Sequence, residues 1–117
     1  LGVSHERTIL CGSNLADSLN KLKLWDDAKT LLGDQLLPAA QRLLGPDHRV
    51  TLTIKNNIAG MIMQNLKCIR DAIDAETIMQ DVVERRRRVF GTAHPETRSA
   101  ETALSSVNTI MHQMHPA

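Results

Sequence analysis

Apolar residues recur at intervals of three and four along the whole chain, and no segment alternates in the manner of a β-strand. This spacing predicts an all-α fold of five helices, at about residues 6–22, 25–45, 49–64, 71–90 and 94–115. On the first helix the predicted buried stripe consists of Leu15, Ala16, Leu19 and Leu22. The equivalent stripe of the third helix consists of Ile54, Ile58, Ala59 and Ile62, and that of the fifth includes Leu104, Val107, Ile110, Met111 and Met114.

Local residues predict where the helices begin and end. Asp26 is placed to accept a hydrogen bond from the free amides that open the second helix. Gly45 permits the left-handed backbone that ends a helix, and Pro46 prevents its continuation. The second helix also contains Gly33 and Pro38, and an interior proline removes a backbone hydrogen bond, so we expect a kink or break between them.

The sequence repeats itself. LGPDHRVTL at residues 44–52 has partial copies in LGVSHERTI at the start and FGTAHPETR from Phe90, at a period of roughly 43 to 46 residues. Such periodicity predicts an α-solenoid, whose units bury their apolar faces only by stacking. We divide residues 1–117, as a single domain, into a first repeat at about 2–44, a second at about 45–90 and a capping helix at about 94–115. A chain entered in mid-repeat is expected to be a fragment of a longer protein.

Composition narrows the class of protein. The formal charge is +1, so the net charge of the chain does not favour nucleic acid or a membrane as partner. Aromatic residues make up only 2% of the chain, and helix packing suits this composition better than a sheet. Cys11 and Cys68 are predicted to be reduced, buried thiols of a cytoplasmic protein. No catalytic constellation is present, so we predict no enzyme activity, no small-molecule substrate and no cofactor or metal.

Each copy of the repeat carries a histidine three residues and a threonine six residues after its glycine. Equivalent residues of stacked repeats lie too far apart to share one metal ion. We therefore predict that His5, His48 and His94 cap free amides at the starts of helices or pack the turns between repeats.

The densest charge in the chain is the run Arg85 to Arg88. At about 100° per residue, four consecutive side chains point around most of the helix and cannot all reach one ligand. We interpret them as the cationic last turn of a helix, which complements its dipole. An acidic protein surface and nucleic acid remain alternative partners for this run.

Polar residues remain after the packed stripes are assigned. Ser13, Asp17 and Asn20 share one face of the first helix, and Asn56, Gly60, Met63 and Gln64 share a face of the third. Amides and hydroxyls suit hydrogen bonding to a peptide backbone, although periodicity alone equally allows a solvated face.

The pattern Gly-x-x-His-x-x-Thr is followed by SNLA at residues 13–16 or NNIA at 56–59, and LWDDA occupies residues 24–28. In these motifs the chain resembles tetratricopeptide repeats (TPR) of the kinesin light chain type. The resemblance implies two antiparallel helical hairpins plus a C-terminal capping helix, with the first helix of each pair lining a concave groove. It also implies that Asn56 contacts bound peptide and that Ser13 and Thr102 are its counterparts.

The predicted function is that of a noncatalytic interaction or scaffold module, such as an adaptor, which binds an extended peptide or a partner helix in this groove. Asp17, Lys21, Met63 and Gln64 would give specificity. Two alternatives stay open: an integral lobe of a larger enzyme, like the C-terminal lobe of SET and MYND methyltransferases, and a sensor array attached to an NTPase switch. The sequence does not indicate an oligomeric state.

Overall fold

The computed structural model describes the backbone of residues 2–114 and the side chains of residues 6–114, and all regular structure within that range is helical. The helices are α1 (Gly2–Lys21), α2 (Trp25–Thr30), a π-helical segment (Leu31–Leu36), α3 (Leu37–Leu43), α4 (Arg49–Gln64), α5 (Ile69–Phe90) and α6 (Pro95–Met114). Residues 25–43 are helical without interruption and form the second helix of the first repeat. The prediction of an all-α chain is confirmed for these residues.

Neighbouring helices pack in chain order. α1 packs on residues 25–43, α4 packs on both of these and on α5, and α5 packs on α6. One core cluster joins the first repeat to α4, and the second joins α4, α5 and α6 around Met79, Val82 and Val83. Aliphatic side chains and alanines fill both clusters, as expected for a chain with few aromatic residues.

The expected irregularity near Gly33 and Pro38 is a π-helical segment rather than a break. The amide of Leu37 donates to the carbonyl of Leu32, five residues back. Pro38 has no amide hydrogen and its ring crowds the carbonyl four residues earlier, and the wider turn before it accommodates both effects. The helix therefore continues through Pro38 to Leu43.

Three local predictions were wrong. Asp26 does not cap the second helix, because the N-cap residue is Leu24 and makes no side-chain hydrogen bond; Asp26 and Asp27 lie in the first turn instead. Cys11 and Cys68 are exposed rather than buried. Cys11 lies on a face of α1 that no described helix covers, and Cys68 is the N-cap residue of α5, at the connection from α4.

The buried face of α1 also differs from the prediction. Of the four predicted residues, Ala16 is buried and Leu19 packs against the core, but Leu15 and Leu22 are 55% and 69% exposed. Ile9 and Ser13 are buried in their place. Apolar residues occur on two faces of this helix, and only contact with the rest of the protein determines which of them is buried.

The predicted histidine caps are confirmed at the two junctions between repeats whose side chains are described. The amide of Val50 donates to His48 Nδ1 at 3.0 Å, and the amide of Glu96 donates to His94 Nδ1 at 3.1 Å. The side chain of His5 lies outside the described residues. Gly45 and Gly91 precede the two caps with φ angles of 97° and 91°, in the region that glycine tolerates best.

Candidate partner-binding groove

The first helices of the repeats, α1 and α4, enclose a polar cavity of about 160 Å³. Its lining includes five of the residues predicted to bind a partner: Ser13, Asp17, Asn20, Asn56 and Gln64. Asn57, Gly60, Leu32 and Met61 complete it. We call this space the polar cavity.

Two side-chain hydrogen bonds cross the polar cavity and hold α1 against α4. Asn57 Nδ2 donates to Ser13 Oγ at 3.3 Å, and Asn20 Nδ2 donates to Gln64 Oε1 at 2.7 Å. Asn20 Oδ1 is buried and has no hydrogen-bond partner among the described residues. A buried amide oxygen without a donor is destabilising unless water or a ligand satisfies it.

A second cavity, of about 320 Å³, lies between α4 and α6 and is mainly apolar. Its lining includes Met63, Met79, Ala103, Val107 and Ile110, and it shares Asn56 and Gly60 with the polar cavity. We call it the apolar cavity, and the two cavities together the groove. The space beside Gly60, where the two linings meet, is open, since a Cβ built there meets no atom within 4 Å.

The two halves of the groove are equivalent intervals of the repeat. The pairs Ser13–Asn57 and Asn20–Gln64 of the first interval correspond in the second to Asn56–Ala103 and Met63–Ile110. The two hydrogen-bonded pairs of the first interval are thus replaced in the second interval by pairs that have no hydrogen bond between their side chains, because Ala103 and Ile110 have no polar side-chain atom. The same repeat positions therefore produce a polar half and an apolar half.

Two of the predicted binding residues do not line either cavity. Lys21 is exposed and forms an ion pair with Asp17, with 3.2 Å between Lys21 Nζ and Asp17 Oδ2. Thr102 is exposed, and its hydroxyl donates to the carbonyl of Arg98 in its own helix. Its neighbours Ala103 and Ser106 line the apolar cavity instead.

Sequence reasoning missed most of the apolar cavity. Val107 and Ile110 were assigned to the packed stripe of α6, and Val107 is indeed buried in the core while also lining the cavity. Ala103, Val107 and Ile110 follow helical spacing, so they do share a face. The sequence signal that could have revealed the apolar cavity is the replacement of the polar residues Asn57 and Gln64 by the apolar residues Ala103 and Ile110 at the equivalent positions of the next repeat.

The arginine run lies away from the groove, and all four side chains have partners within the chain. Arg85 contacts Asp81 and Asp47, Arg88 approaches Asp47, and Arg87 contacts Glu101. Hydrogen bonds to Asp47 and Asp81 raise the pKa of Arg85. The run joins α5 both to the junction before α4 and to α6.

Arg86 is only 5% exposed, which the sequence did not indicate. Its Nη1 donates to the carbonyl of Glu96 at 3.0 Å, and its carbonyl accepts from Thr97 Oγ1 at 3.2 Å. Burial lowers the pKa of this guanidinium. Arg86 is therefore part of the packing between α5 and α6 rather than a free cation.

A second ion-pair group lies between α4 and α5. Lys55 Nζ is 2.7 Å from Asp81 Oδ2, and Arg85 also binds Asp81. Burial raises the pKa of Asp81, but the hydrogen bonds and the positive charges of Lys55 and Arg85 together outweigh that effect, so its net pKa lies below the usual 3.8.

Comparison with known families agrees with the helical repeat. A family model described as a tetratricopeptide repeat matches residues 51–96, which span most of α4, all of α5 and the start of α6. The match supports a repeat protein of the tetratricopeptide type, a class whose members generally mediate contacts between proteins. A search of curated proteins found no match.

Two further observations concern the described residues only. None of their helices is long and apolar enough to cross a membrane. Between residues 6 and 114, no group of three or more histidine, cysteine or acidic side chains is arranged to hold a metal ion.

Proposed function

We propose that this chain is a noncatalytic interaction module of the kinesin light chain type, which binds an extended peptide along the groove. The observation that carries the proposal is that two unlike cavities lie side by side and share Asn56 and Gly60 in their linings. A repeat protein of this type would work as a cytoplasmic scaffold or adaptor. Its predicted partner is a protein or peptide segment.

The chemistry of the groove suits an extended peptide. Main-chain amides of a peptide offer donors and acceptors at short intervals, which match the amide side chains of Asn20, Asn56 and Gln64. The unpartnered Asn20 Oδ1 would accept a hydrogen bond from such a donor. In peptide recognition of this kind, main-chain hydrogen bonds give affinity and side-chain pockets give specificity.

The apolar cavity would give that specificity. Met63 and Met79 have flexible, polarisable side chains that adjust to different apolar groups. The remaining lining is aliphatic or small, so an aliphatic or aromatic side chain of the peptide would enter here. No lysine or arginine lines either cavity among the described residues, so the groove has no built-in cation for an acidic ligand.

The proposal is tested with a random peptide library displayed on phage and selected against the immobilised 117-residue chain. Selected peptides are then measured against the double variant Asn56→Ala with Gln64→Ala. We expect binding to fall by about tenfold or more, since loss of hydrogen bonds worth about 1.4 kcal/mol together gives that factor. Because Gln64→Ala also removes the Asn20–Gln64 hydrogen bond, we expect a loss of about 1 kcal/mol in the free energy of unfolding, so binding is measured at a temperature at which both chains are folded.

The matched control is Gln80→Ala, an exposed amide on α5 that lines neither cavity. It should bind the selected peptides like the unaltered chain. Met63→Ser separates the two halves, because it should weaken peptides with an apolar anchor and leave the Asn20–Gln64 hydrogen bond intact. Normal binding by the double variant would show that the groove is not the binding site.

A further inference from the structure

A third cavity, of about 500 Å³, lies between residues 25–43, α4 and α5. Each of these three segments contributes two of the residues that matter for its chemistry: Gly33 and Leu37, Lys55 and Ile58, and Ile78 and Asp81. No residue of its lining belongs to the polar cavity or to the apolar cavity of the groove. We call it the third cavity.

Most of the surface of the third cavity is apolar. Leu37, Ile58 and Ile78 are aliphatic, and the methylene stem of a lysine adds to such a surface. Gly33 lies in the π-helical segment, and a Cβ built there meets no atom within 4 Å, so space is free at that position. Small-molecule sites in proteins are typically concave, mostly apolar and about 300–1,000 Å³ in volume, a range that includes this cavity.

The polar end of the third cavity offers hydrogen-bond donors. Lys55 Nζ donates to Asp81 Oδ2 at 2.7 Å, and the side chain of Lys55 is only 16% exposed. Arg85 Nε donates to both oxygens of the same carboxylate, at 3.0 and 3.1 Å. The carboxylate of Asp81 thus accepts three hydrogen bonds, whereas the ammonium group of Lys55 has three donors and uses one of them among the described residues. A ligand group at this end would therefore meet free donors of Lys55.

The charges at this end favour an anion. Lys55 and Arg85 carry two positive charges, and Asp81 between them carries one negative charge. Arg85 and Arg88 also share Asp47, so the whole group has three cations and two carboxylates and a net charge of +1. An added carboxylate would make the group neutral. Its attraction to the largely buried Lys55 would be screened by salt less than that of an exposed pair.

We propose that the third cavity binds a small carboxylate that has an aliphatic or aromatic body. The body would lie against Leu37, Ile58 and Ile78, and the carboxylate would accept hydrogen bonds from Lys55 Nζ. This site is separate from the groove, so the proposal holds or fails independently of peptide binding.

The first test compares three ligands that share an eight-carbon chain and differ in charge. Octanoate, 1-octanol and octylammonium are titrated into the 117-residue chain by isothermal calorimetry. Octanoate should bind about tenfold more tightly than 1-octanol, because it adds a charge-assisted hydrogen bond, and octylammonium should bind most weakly. From hexanoate to octanoate the affinity should rise about fourfold for each buried methylene. Equal affinities for the three ligands would overturn the proposal.

Two variants test the position of the ligand. Gly33→Leu adds a side chain where space is free, so it should abolish binding of octanoate and 1-octanol alike without lowering the melting temperature. Gln35→Leu is the matched control, because it adds the same side chain at an exposed position of the same π-helical segment that does not line the cavity. Unchanged binding by a folded Gly33→Leu chain would show that the third cavity is not the site.

A charge variant tests the role of Lys55. Lys55→Met keeps an unbranched apolar side chain and removes the ammonium group, so octanoate should lose its tenfold advantage while 1-octanol still binds. Lys21→Met removes the same charge from an exposed lysine that lines none of the three cavities, and it should retain the advantage. A preference for octanoate that survives in Lys55→Met would contradict the assignment.

Isoleucine methyl groups labelled with carbon-13 locate the ligand in the unaltered chain, including the case in which Gly33→Leu does not fold. Octanoate should shift the nuclear magnetic resonance signals of Ile58 and Ile78 and leave Ile110, which lines the apolar cavity of the groove, unchanged. A larger shift at Ile110 would place octanoate in the groove. Similar shifts at every isoleucine, including Ile9 on α1, would indicate nonspecific adsorption, and either result would overturn the proposal.

Discussion

The two junctions between repeats share one local motif but are held together differently. At both, a glycine with positive φ ends one helix, and a histidine three residues later caps the next. At the first junction the amide of Gly45 donates to the carbonyl of Ala40, five residues back, whereas at the second the amide of Gly91 donates to the carbonyl of Arg87, four residues back. The motif determines the cap, but not the last turn before it.

The side chains packed behind the caps differ more. Ala40 and Arg86 stand five residues before the two glycines, and both are buried. Thr51, which is fully buried, donates to the carbonyl of Gly45, whereas Thr97 donates to that of Arg86. The same position of the repeat therefore accepts either a small apolar side chain, Ala40, or a large cation, Arg86. The cation is tolerated because a neighbouring carbonyl, that of Glu96, accepts a hydrogen bond from it.

The largest expected effect comes from removing the large side chain at the second junction. Arg86→Ala should lower the free energy of unfolding by about 2–4 kcal/mol, because it leaves a cavity between α5 and α6. Arg86→Met fills most of the volume without a buried charge and should stay within about 1 kcal/mol of the unaltered chain. Chemical denaturation measures both.

Arg88→Ala is the control in the same turn, since this side chain is 58% exposed and should contribute little. If Arg86→Met were as damaging as Arg86→Ala, the hydrogen bond to Glu96 rather than the packing would hold the second junction together.

A smaller effect should follow loss of the shared cap. His48→Ala and His94→Ala each remove an acceptor for a helix-opening amide, so each should lower the free energy of unfolding by about 1 kcal/mol. His112→Ala, in the exposed last turn of α6, serves as the control and should have no effect. Unequal losses at His48 and His94 would mean that the two caps are not energetically equivalent. His94 also stacks on Phe90, with 4.7 Å between ring centroids, so any excess loss is expected there.

The smallest effect concerns the ion pairs that join α5 to α4 and the first junction. The pKa of Asp81 is lower in the folded chain than in the unfolded one, so its contribution to stability is present above the unfolded pKa and is lost as the pH falls through the folded value. Asp81→Asn should therefore be less stable than the unaltered chain at pH 7, and the difference should shrink as the pH falls below about 4.

Thermal unfolding between pH 7 and pH 2 measures this pH dependence. Asp74→Asn removes a more exposed carboxylate of the same helix, paired with Arg70 at 3.7 Å, and should show a weaker dependence. A constant difference between Asp81→Asn and the unaltered chain across the whole range would contradict the pairing.

Several features of the fold followed from residues close together in sequence. Gly45, His48, Gly91, His94 and Pro95 mark helix ends through their own backbone preferences and hydrogen-bonding groups, and the structure has helix ends at these places. The spacing of apolar residues likewise predicted the number of helices, because helical periodicity can be read within one segment without knowing what packs against it.

The groove was only partly predictable. Five of the polar residues grouped by the sequence line one cavity, because they share faces of α1 and α4 and those helices are equivalent in the repeat. Lys21 and Thr102 lie on the same helices but turn away from both cavities, and the apolar half escaped notice because its residues look like core residues.

The sequence by itself determined the helices, the glycine ends and histidine caps of the two junctions, and the internal repeat, since each depends on a few neighbouring residues. Only the tertiary structure decided which apolar side chains are buried. It left Leu15 and Cys11 exposed on α1, enclosed Arg86 between α5 and α6, and divided the groove into polar and apolar halves. Burial depends on what a distant segment places against a residue, and that information is not contained in the spacing of a single helix.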